Sequence, residues 1–432
     1  MAETGSLNRE ERAWVLYDAG NSAYAVVVLT ALFPLFFKNY AASSIPSHLS
    51  TSFLAYAGSG ASLVVAVAAP FLGMFADRSG KRKAFFVFFT ALGILSLLML
   101  VMVGQGDCLP ALFLYALSFA GFTCANVFYD AFLVDIAAGK RRDTLSAAGY
   151  AWGYLGGGAA FVISMGIIQC YDVSGLPDRI SAVKAAFVIT AAWWLLFSVP
   201  LMFFQQSETT EPSLSGHGGS GPGVRSHPGY LSGIRATFRV ITGNRRTLFF
   251  LLAYFFYIDG VGTVIKLAAA YGADMGMEQG ELLAVILMVQ IAGFPFAMLY
   301  GRLARKFSAR IMILVAIGVY LVVTVTGFAI SLVEDNSARV CLFWLLSFMV
   351  ATSQGGIQAL SRSFYSRLVP AGQAAEYFGI YNISGRFAAV MGPAVLGAVT
   401  QISGNTGFGV LAIAPFFLAG GWLVWKAGPE PA

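Results

Sequence analysis

Residues 73–83 read GMFADRSGKRK, a basic turn that separates two long apolar stretches of the chain. The stretch before the turn covers 51–76, and the stretch after it covers 84–104. A helix of about 20 largely apolar residues spans the hydrocarbon core of a bilayer, so each stretch is long enough to cross a membrane once. The sequence therefore predicts a helical hairpin that crosses the membrane twice, with the turn on one side.

The overall composition agrees with a chain built from such hairpins. Hydrophobic residues make up 58% of the 432 residues and charged residues 11%, whereas soluble domains carry roughly 25% charged residues. A soluble enzyme is excluded because it could not bury that much apolar surface. Four cysteines do not make a disulfide scaffold, and the long apolar blocks differ from the short alternating strands of a membrane barrel. The predicted fold class is an all-α polytopic membrane protein.

The same length rule divides the chain into twelve transmembrane helices in two six-helix halves. The predicted spans are 13–38, 51–76, 84–104, 110–136, 145–170, 181–204, 247–272, 281–301, 310–332, 339–361, 376–402 and 406–426. We expect residues 1–204 to form the N-terminal half and residues 247–432 the C-terminal half. Residues 205–246 form a cytoplasmic linker with a glycine-rich core and an amphipathic helix.

The linker helix has an apolar face and a basic face. The apolar face is formed by Leu231, Ile234, Phe238 and Ile241, and Arg235 and Arg239 lie opposite. Two interpretations stay open: a basic helix that lies on the inner leaflet, or an ordinary connector between the halves.

The distribution of basic residues predicts the orientation. With both termini in the cytoplasm, 21 of the 27 Lys and Arg residues fall on the inside, Arg362 among them, and four fall outside. Positively charged loops remain on the cytoplasmic side, so we predict a multi-pass protein of the plasma (inner) membrane. The opening segment MAETGSLNREER has mixed charge, so the first span is expected to be an uncleaved anchor.

The basic turn has a partial copy 228 residues further on, where residues 301–310 read GRLARKFSAR. The same offset places residues 129–132 of the fourth span on residues 357–360 of the tenth. Two halves related by a parallel repeat are typical of secondary transporters, whose solute site lies between the halves near the middle of the membrane.

Residues 73–83 closely resemble the GxLaDrxGrkr loop signature of the major facilitator superfamily, and the copy at 301–310 lacks the Asp. Within that superfamily the chain resembles the vacuole-effluxer-like ("unknown major facilitator") family, through residues 14–24 (WVLYDAGNSAY), 254–266 (YFFYIDGVGTVIK) and 377–385 (YFGIYNISG). The resemblance covers essentially the whole chain apart from the linker. It implies the major facilitator fold, an alternating-access cycle and, from the fungal relatives, efflux of amino acids.

The basic turn has a physical interpretation as a conformational latch between the halves. Asp77 lies at an inner helix end, where it can pair with a nearby cation or cap the N-terminus of a neighbouring helix. We assign Gly73 and Asp77 this role. Arg78 and Arg82 either belong to the latch or only set the topology, and Arg141 is the predicted partner of Asp77.

Two aspartates lie at similar depth in the first half. At about 1.5 Å per residue, Asp18 lies roughly 7 Å and Asp130 about 9 Å from the inner ends of spans 1 and 4. In a major facilitator arrangement both spans line the cavity, so the carboxylates would face one vestibule and could carry a proton. The alternative is local capping, by Asn126 for Asp130 and by Asn21, Ser22 and Tyr24 for Asp18.

In the second half, Asp259 and Arg386 fall near the middle of spans 7 and 11. A buried ion pair and contact with the solute both stay open. Lys266 shares a helical face with Asp259 and is either an outer-interface anchor or a solute contact. Our hypothesis is that Arg386 or Lys266 receives an anionic group such as a carboxylate, while an Asp carries the proton. Further polar contacts with the solute are expected from Tyr257, Gln358, Tyr381 and Asn382.

Other kinds of chemistry find no support in the sequence. No Cys and His cluster has metal-ligand spacing, and no nucleophile–base set occurs at one depth, so we predict no metal, no cofactor and no enzyme activity. The net charge of +6 follows from the topology, so nucleic acid is not an expected partner. The expected partners are the lipid bilayer, a small-molecule substrate and protons, and we expect a monomer. Whether Cys108 and Cys170 form an external disulfide stays open.

The sequence thus predicts a secondary active transporter that exports a small solute, such as amino acids or related metabolites, with proton coupling. A multidrug/proton antiporter is the first alternative. A non-transporting membrane receptor is the second, although the predicted tails, of a dozen residues or fewer, leave little room for a receptor domain.

Overall fold

The computed structural model describes residues 7–203, 230–274, 276–370 and 372–429. Within these ranges, twelve helices are long and apolar enough to cross a membrane, and no β-strand occurs. Numbered α1 to α12, they are Arg9–Ala41, Ser47–Ser79, Arg82–Met102, Cys108–Ile136, Arg141–Gln169, Arg179–Met202, Arg245–Asp274, Gln279–Phe307, Ala309–Ile330, Asn336–Ser366, Ala374–Ser403 and Thr406–Ala427. The predicted twelve-helix fold is confirmed.

The two halves, α1–α6 and α7–α12, pack against each other through a few helices. Helix α2 packs against α11, and α5 packs against α8 and α10. Within the first half, α5 and α1 are in backbone contact, because a Cβ on Gly156 would lie 2.3 Å from the carbonyl oxygen of Ala19. We call one end of the bundle the basic end; it carries Arg78, Lys81, Lys83, Lys140 and Lys306.

A separate connecting helix, Tyr230–Gly243, precedes α7 and packs against α2 and α7. Ile234 and Ile241 are buried in this contact, as the amphipathic pattern predicts. Phe238, predicted for the same face, is 43% exposed, so the predicted apolar face is only partly buried. The glycine-rich core of the predicted linker, residues 216–223, lies outside the described residues.

The cysteines are not cross-linked. All four are free thiols, so Cys108 and Cys170 do not form the disulfide that the sequence left open. In the described part of the chain, no group of three or more His, Cys, Asp or Glu side chains could hold a metal ion.

Candidate functional site

A cavity of about 1440 Å³ lies between the two halves. Its walls come from α1, α2 and α4 of the first half and from all six helices of the second, α9 through Val323 alone. Residues near helix ends remote from the basic turns line it, such as Leu54 of α2, Tyr271 of α7 and Gln401 of α11. Side chains and backbone of the two halves are in contact at the basic end, so the cavity opens at the opposite end.

A buried arginine, Arg362 of α10, joins the two halves. Its Nη1 donates a hydrogen bond to Oδ1 of Asp130 at 3.1 Å, and its Nη2 donates to Oδ2 of Asp18 at 3.3 Å. Its Nε donates to Oγ of Ser146 at 2.9 Å, and Nη2 also donates to the Ser146 carbonyl oxygen at 3.1 Å. Because Arg362 is only 3% exposed, a side chain of the second half is enclosed by α1, α4 and α5 of the first.

Aromatic rings surround the guanidinium of Arg362. Its Cζ lies 4.5 Å from the ring centroid of Trp14, 4.6 Å from that of Tyr150 and 5.3 Å from that of Tyr129. The hydroxyl of Tyr129 also donates to Oδ2 of Asp18 at 2.9 Å. Cation–π contacts strengthen when they are desolvated, so the rings help to offset the cost of burying the charges.

Equal depth predicts one site for Asp18 and Asp130, and both bind Arg362 in the structure. This cation is not predicted: the predicted tenth span ends at residue 361 with Arg362 on the cytoplasmic side, whereas α10 includes Arg362 and its side chain is buried. Helix α10 continues to Ser366 because no residue before Pro370 interrupts it. The available signal was the flanking serines, whose small side chains let a neighbouring helix approach the arginine.

Three of the predicted local caps of the two aspartates, Asn21, Asn126 and Tyr24, make other contacts. Nδ2 of Asn21 donates to Oδ1 of Asn126 at 2.9 Å, so the two asparagines bond to each other across α1 and α4. Tyr24 is fully buried, and its ring packs against Phe122 and Trp194 at centroid distances of 5.0 and 5.2 Å. The aspartates are therefore held by Arg362 and its surroundings.

At the basic end, Asp77 lies against the N-terminus of α11. Its carboxylate accepts hydrogen bonds from the backbone N–H groups of Ala375 at 3.3 Å and Glu376 at 2.9 Å. It also forms an ion pair with Arg82. A Cβ on Gly73 would lie 2.3 Å from the carbonyl oxygen of Ala375, so α2 and α11 touch backbone to backbone. We call this contact the α2–α11 latch.

Arg141 is not the partner of Asp77. It donates hydrogen bonds to the two carboxylate oxygens of Glu11 at 2.7 and 2.6 Å, within the first half. The reason is that α5 begins at Arg141 and packs along the start of α1. Arg78 lines a cleft of about 270 Å³ between the connecting helix and the start of α11.

The start of α5 and the end of α10 form a further contact between the halves. Nη1 of Arg142 donates to the carbonyl oxygen of Ser366 at 2.7 Å. Ser363 donates to Oδ1 of Asp143 at 2.5 Å, and Arg367 forms an ion pair with the same carboxylate. Together with the α2–α11 latch and Arg362, these contacts close the cavity at the basic end.

Asp259 and Arg386 do not form the ion pair that was one of the two expectations. Asp259 is 1% exposed, and its carboxylate lies against the backbone of Gly392 in α11. Arg386 reaches across to α4 instead: its Nη2 donates to Oγ1 of Thr123 at 2.7 Å, and its Cζ lies 5.0 Å from the ring centroid of Phe119. Lys266 is exposed and lines the cavity with Arg386.

The four remaining candidate contacts are divided between the cavity and the helix packing. Asn382 lines the cavity. Tyr257 and Tyr381 are buried between helices of the second half, and the amide of Gln358 donates to a backbone carbonyl of α10 at 3.3 Å. Gln354, one turn before Gln358, lines the cavity in its place.

Residues 45–427 match the sequence profile of the family described as "Vacuole effluxer Atg22 like". An uncharacterised MFS-type transporter, YxiO of Bacillus subtilis (strain 168), is 39% identical over 417 residues, which cover 95% of this chain and 93% of the relative. Autophagy-related protein 22-1 of Neosartorya fischeri is 24% identical over 279 residues, which cover 62% of this chain. The match spans 45% of the length of that fungal relative.

Solved structures share the fold at low sequence identity. The proton:xylose symporter XylE superposes with a TM-score of 0.75 and 14% identity, over 98% of this chain and 96% of its own. The fucose:proton symporter FucP of E. coli superposes with a TM-score of 0.68 and 15% identity, over 98% of each chain. This similarity shows the major facilitator fold.

Proposed function

The chain belongs to the vacuole effluxer Atg22-like family of the major facilitator superfamily, and on this basis we propose that it exports a small solute in exchange for protons. As an MFS-type transporter it works by alternating access, with the cavity as its solute site. The solute belongs to the amino acids and related metabolites, the class that the family resemblance implies.

The basic end faces the cytoplasm in this proposal. Without Arg362, which is buried, nineteen Lys and Arg residues of the described part of the chain are assigned to this side against four on the other. Such an asymmetry favours the cytoplasmic side for the basic loops. Both termini then lie in the cytoplasm, the protein is in the plasma membrane, and the cavity opens outward.

The observation that carries the coupling proposal is the contact of Arg362 with Asp18 and Asp130. Two carboxylates and one guanidinium have a net charge of −1. One proton therefore makes this buried group electrically neutral, and a neutral group costs less to keep away from water. The cluster suits the uptake of one proton per cycle.

Proton uptake would also loosen the contact between the halves. A protonated Asp130 no longer attracts Arg362 as an ion, so the hold of α10 on the first half weakens and the basic end can open. Asn382 lines the cavity and lies beside Asp130, which gives protons from outside a polar route. When the proton leaves to the cytoplasm, Arg362 pairs with both aspartates again and closes the basic end.

Reconstitution into proteoliposomes tests this proposal. The solute is the first hit of a thermal-shift panel of amino acids, peptides, sugars and organic acids. An antiporter accumulates this solute in vesicles whose lumen is more acidic than the bath, because protons leave as the solute enters. Asp18→Asn and Asp130→Asn should lose this accumulation but retain exchange of labelled for unlabelled solute, which needs no net proton movement.

The matched control is Asp178→Asn, because Asp178 is an exposed aspartate at the start of α6. It should transport as the wild type does. Accumulation that ignores the pH gradient, and that is the same in the Asp18 and Asp130 variants, would contradict proton coupling.

A further inference from the structure

The charged groups that line the cavity have one sign. Among the described residues that line it, Lys266 and Arg386 are the charged side chains, and no Asp or Glu is present. The nearest acidic group along α7, Asp259, is 1% exposed and does not line the cavity, whereas Thr263, one turn further on, does. The charged side chains that a solute meets on the cavity wall are therefore cationic.

Arg386 is held in a position to receive an anion. One of its terminal nitrogens is fixed by Thr123 of α4, and its guanidinium lies over the ring of Phe119. Its Nε is buried and has no hydrogen-bond partner among the described residues. Because Arg386 lines the cavity and hydrogen bonds between arginine and a carboxylate are among the strongest in proteins, its guanidinium is suited to bind an anionic solute. Because Arg386 belongs to α11 and contacts α4, an anion bound to it would lie where the two halves meet.

The rest of the lining is neutral and largely apolar. Amide groups come from Gln290, Gln354, Asn382 and Gln401. Aliphatic and aromatic side chains from both halves make up most of the remaining wall, including Leu29, Tyr115, Tyr254, Val285 and Phe343. Amides can bond a carbonyl or hydroxyl group, and the apolar wall suits a hydrocarbon or aromatic body.

An amino acid fits this lining less well than its deaminated analogue. Its carboxylate could bind Arg386, but its ammonium group would leave water with no carboxylate to receive it and with Lys266 in the same cavity. Transfer of an unpaired charge out of water is unfavourable, and like charges in one cavity repel each other.

We infer that the solute is an amphiphilic organic anion, with a carboxylate that binds Arg386, an apolar body and no ammonium group. Oxo and hydroxy acids with branched aliphatic or aromatic side chains belong to this class. The inference deepens the proposed function, on which it rests, by selecting among amino acids and related metabolites the ones that lack the amino group. The same charge pattern disfavours the cationic compounds that a multidrug antiporter would take.

Two matched series of compounds test the inference by equilibrium binding to the purified full-length protein. The aliphatic series is 4-methylpentanoate, leucine and leucinamide, and the aromatic series is 3-phenylpropanoate, phenylalanine and phenylalaninamide. Within a series the apolar body is constant and the net charge changes from −1 to 0 to +1. In at least one series the anion should bind about 10-fold or more tightly than the amino acid, since one charge-assisted contact is worth about that factor or more, and the amide should bind least.

Variants locate the anion in the cavity. Arg386→Gln should weaken binding of the preferred anion by about 10- to 100-fold and leave the neutral amide of the same acid unaffected. Lys266→Gln should weaken it less, because Lys266 is exposed and more hydrated. Arg179→Gln is the control, since Arg179 is exposed at the start of α6 and does not line the cavity.

The wild-type comparison does not depend on any variant being folded. Amino acids that bind as tightly as their anions, or no anion binding in either series, would overturn the inference. A second measurement, exchange of the bound anion across the membrane of proteoliposomes, distinguishes failure of this inference from failure of the proposed transport function. Anion binding without exchange supports the inference and contradicts transport, whereas exchange of amino acids without anion binding does the reverse.

Discussion

The substitution Arg362→Gln tests the contact that joins the two halves. It removes the positive charge but retains a polar side chain that can still bond Ser146. Asp18 and Asp130 then remain buried without their cation, and the α10 side of the closed basic end loses its hold on α1 and α4.

We expect the free energy of unfolding to fall by about 3–5 kcal/mol, the usual cost of removing one partner of a buried ion pair. The four hydrogen bonds of Arg362 would give a larger sum at about 1.5–3 kcal/mol each. That sum overestimates the effect, because bonds that share one group act as a unit and are not additive.

The measurement is chemical unfolding of the full-length protein in detergent micelles, with Arg302→Gln as the matched control. Arg302 is an exposed arginine of α8 at the same end of the bundle, so its loss should change stability by less than about 1 kcal/mol. Adding Asp18→Asn and Asp130→Asn to the Arg362 variant should restore at least half of the lost stability. If Arg362→Gln costs no more than Arg302→Gln, the central role of this contact is refuted.

Three further variants test the α2–α11 latch and the second half. Asp77→Ala removes the acceptor for two backbone N–H groups of α11 and should lower the free energy of unfolding by about 0.5–2 kcal/mol. Backbone hydrogen exchange at the start of α11 should become faster. Asp178→Ala is the control, because it removes a helix cap within the first half and should leave the exchange of α11 unchanged. Gly73→Ala forces a methyl group against the backbone of α11 and should destabilise the closed basic end by about 1–3 kcal/mol. The measurement is increased labelling of a cysteine introduced at the basic end. Gly60→Ala on the same helix is the control, because its methyl group meets no atom within 4 Å and should leave labelling unchanged. Asp259→Asn should leave unfolding stability within about 0.5 kcal/mol or raise it, because it removes a buried charge and keeps an oxygen that can accept from the backbone N–H of Gly392. A loss of several kcal/mol would show that the charge itself stabilises the fold.

Local composition was sufficient for the fold class and for the number of helices. Within a bilayer, the backbone N–H and C=O groups can all form hydrogen bonds only in a helix or a closed barrel. Each apolar stretch of about 20 residues therefore predicts one helix, whatever its neighbours are. The ends were less well predicted: α10 runs from Asn336 to Ser366, beyond the predicted 339–361. A helix can continue past the hydrocarbon core, so hydropathy alone does not predict the residue at which the helix ends.

Depth along the helices also predicted one site for Asp18 and Asp130, and both aspartates bind Arg362. Depth could not tell which groups they would bind. Asn21 and Asn126 were expected beside the aspartates, but they bond to each other across α1 and α4. The choice between these pairings depends on how the helices rotate about their axes.

The sequence by itself determined the twelve helices and the basic turns, because each follows from a run of neighbouring residues, and it also identified Asp18 and Asp259 as charges within helices. Only the tertiary structure decided which of these residues meet across the halves. Arg362 and Asp18 are 344 residues apart in the chain, and Arg386 bonds to Thr123 of the other half and not to Asp259. Such contacts arise from the relative placement of two six-helix units, which no local pattern specifies.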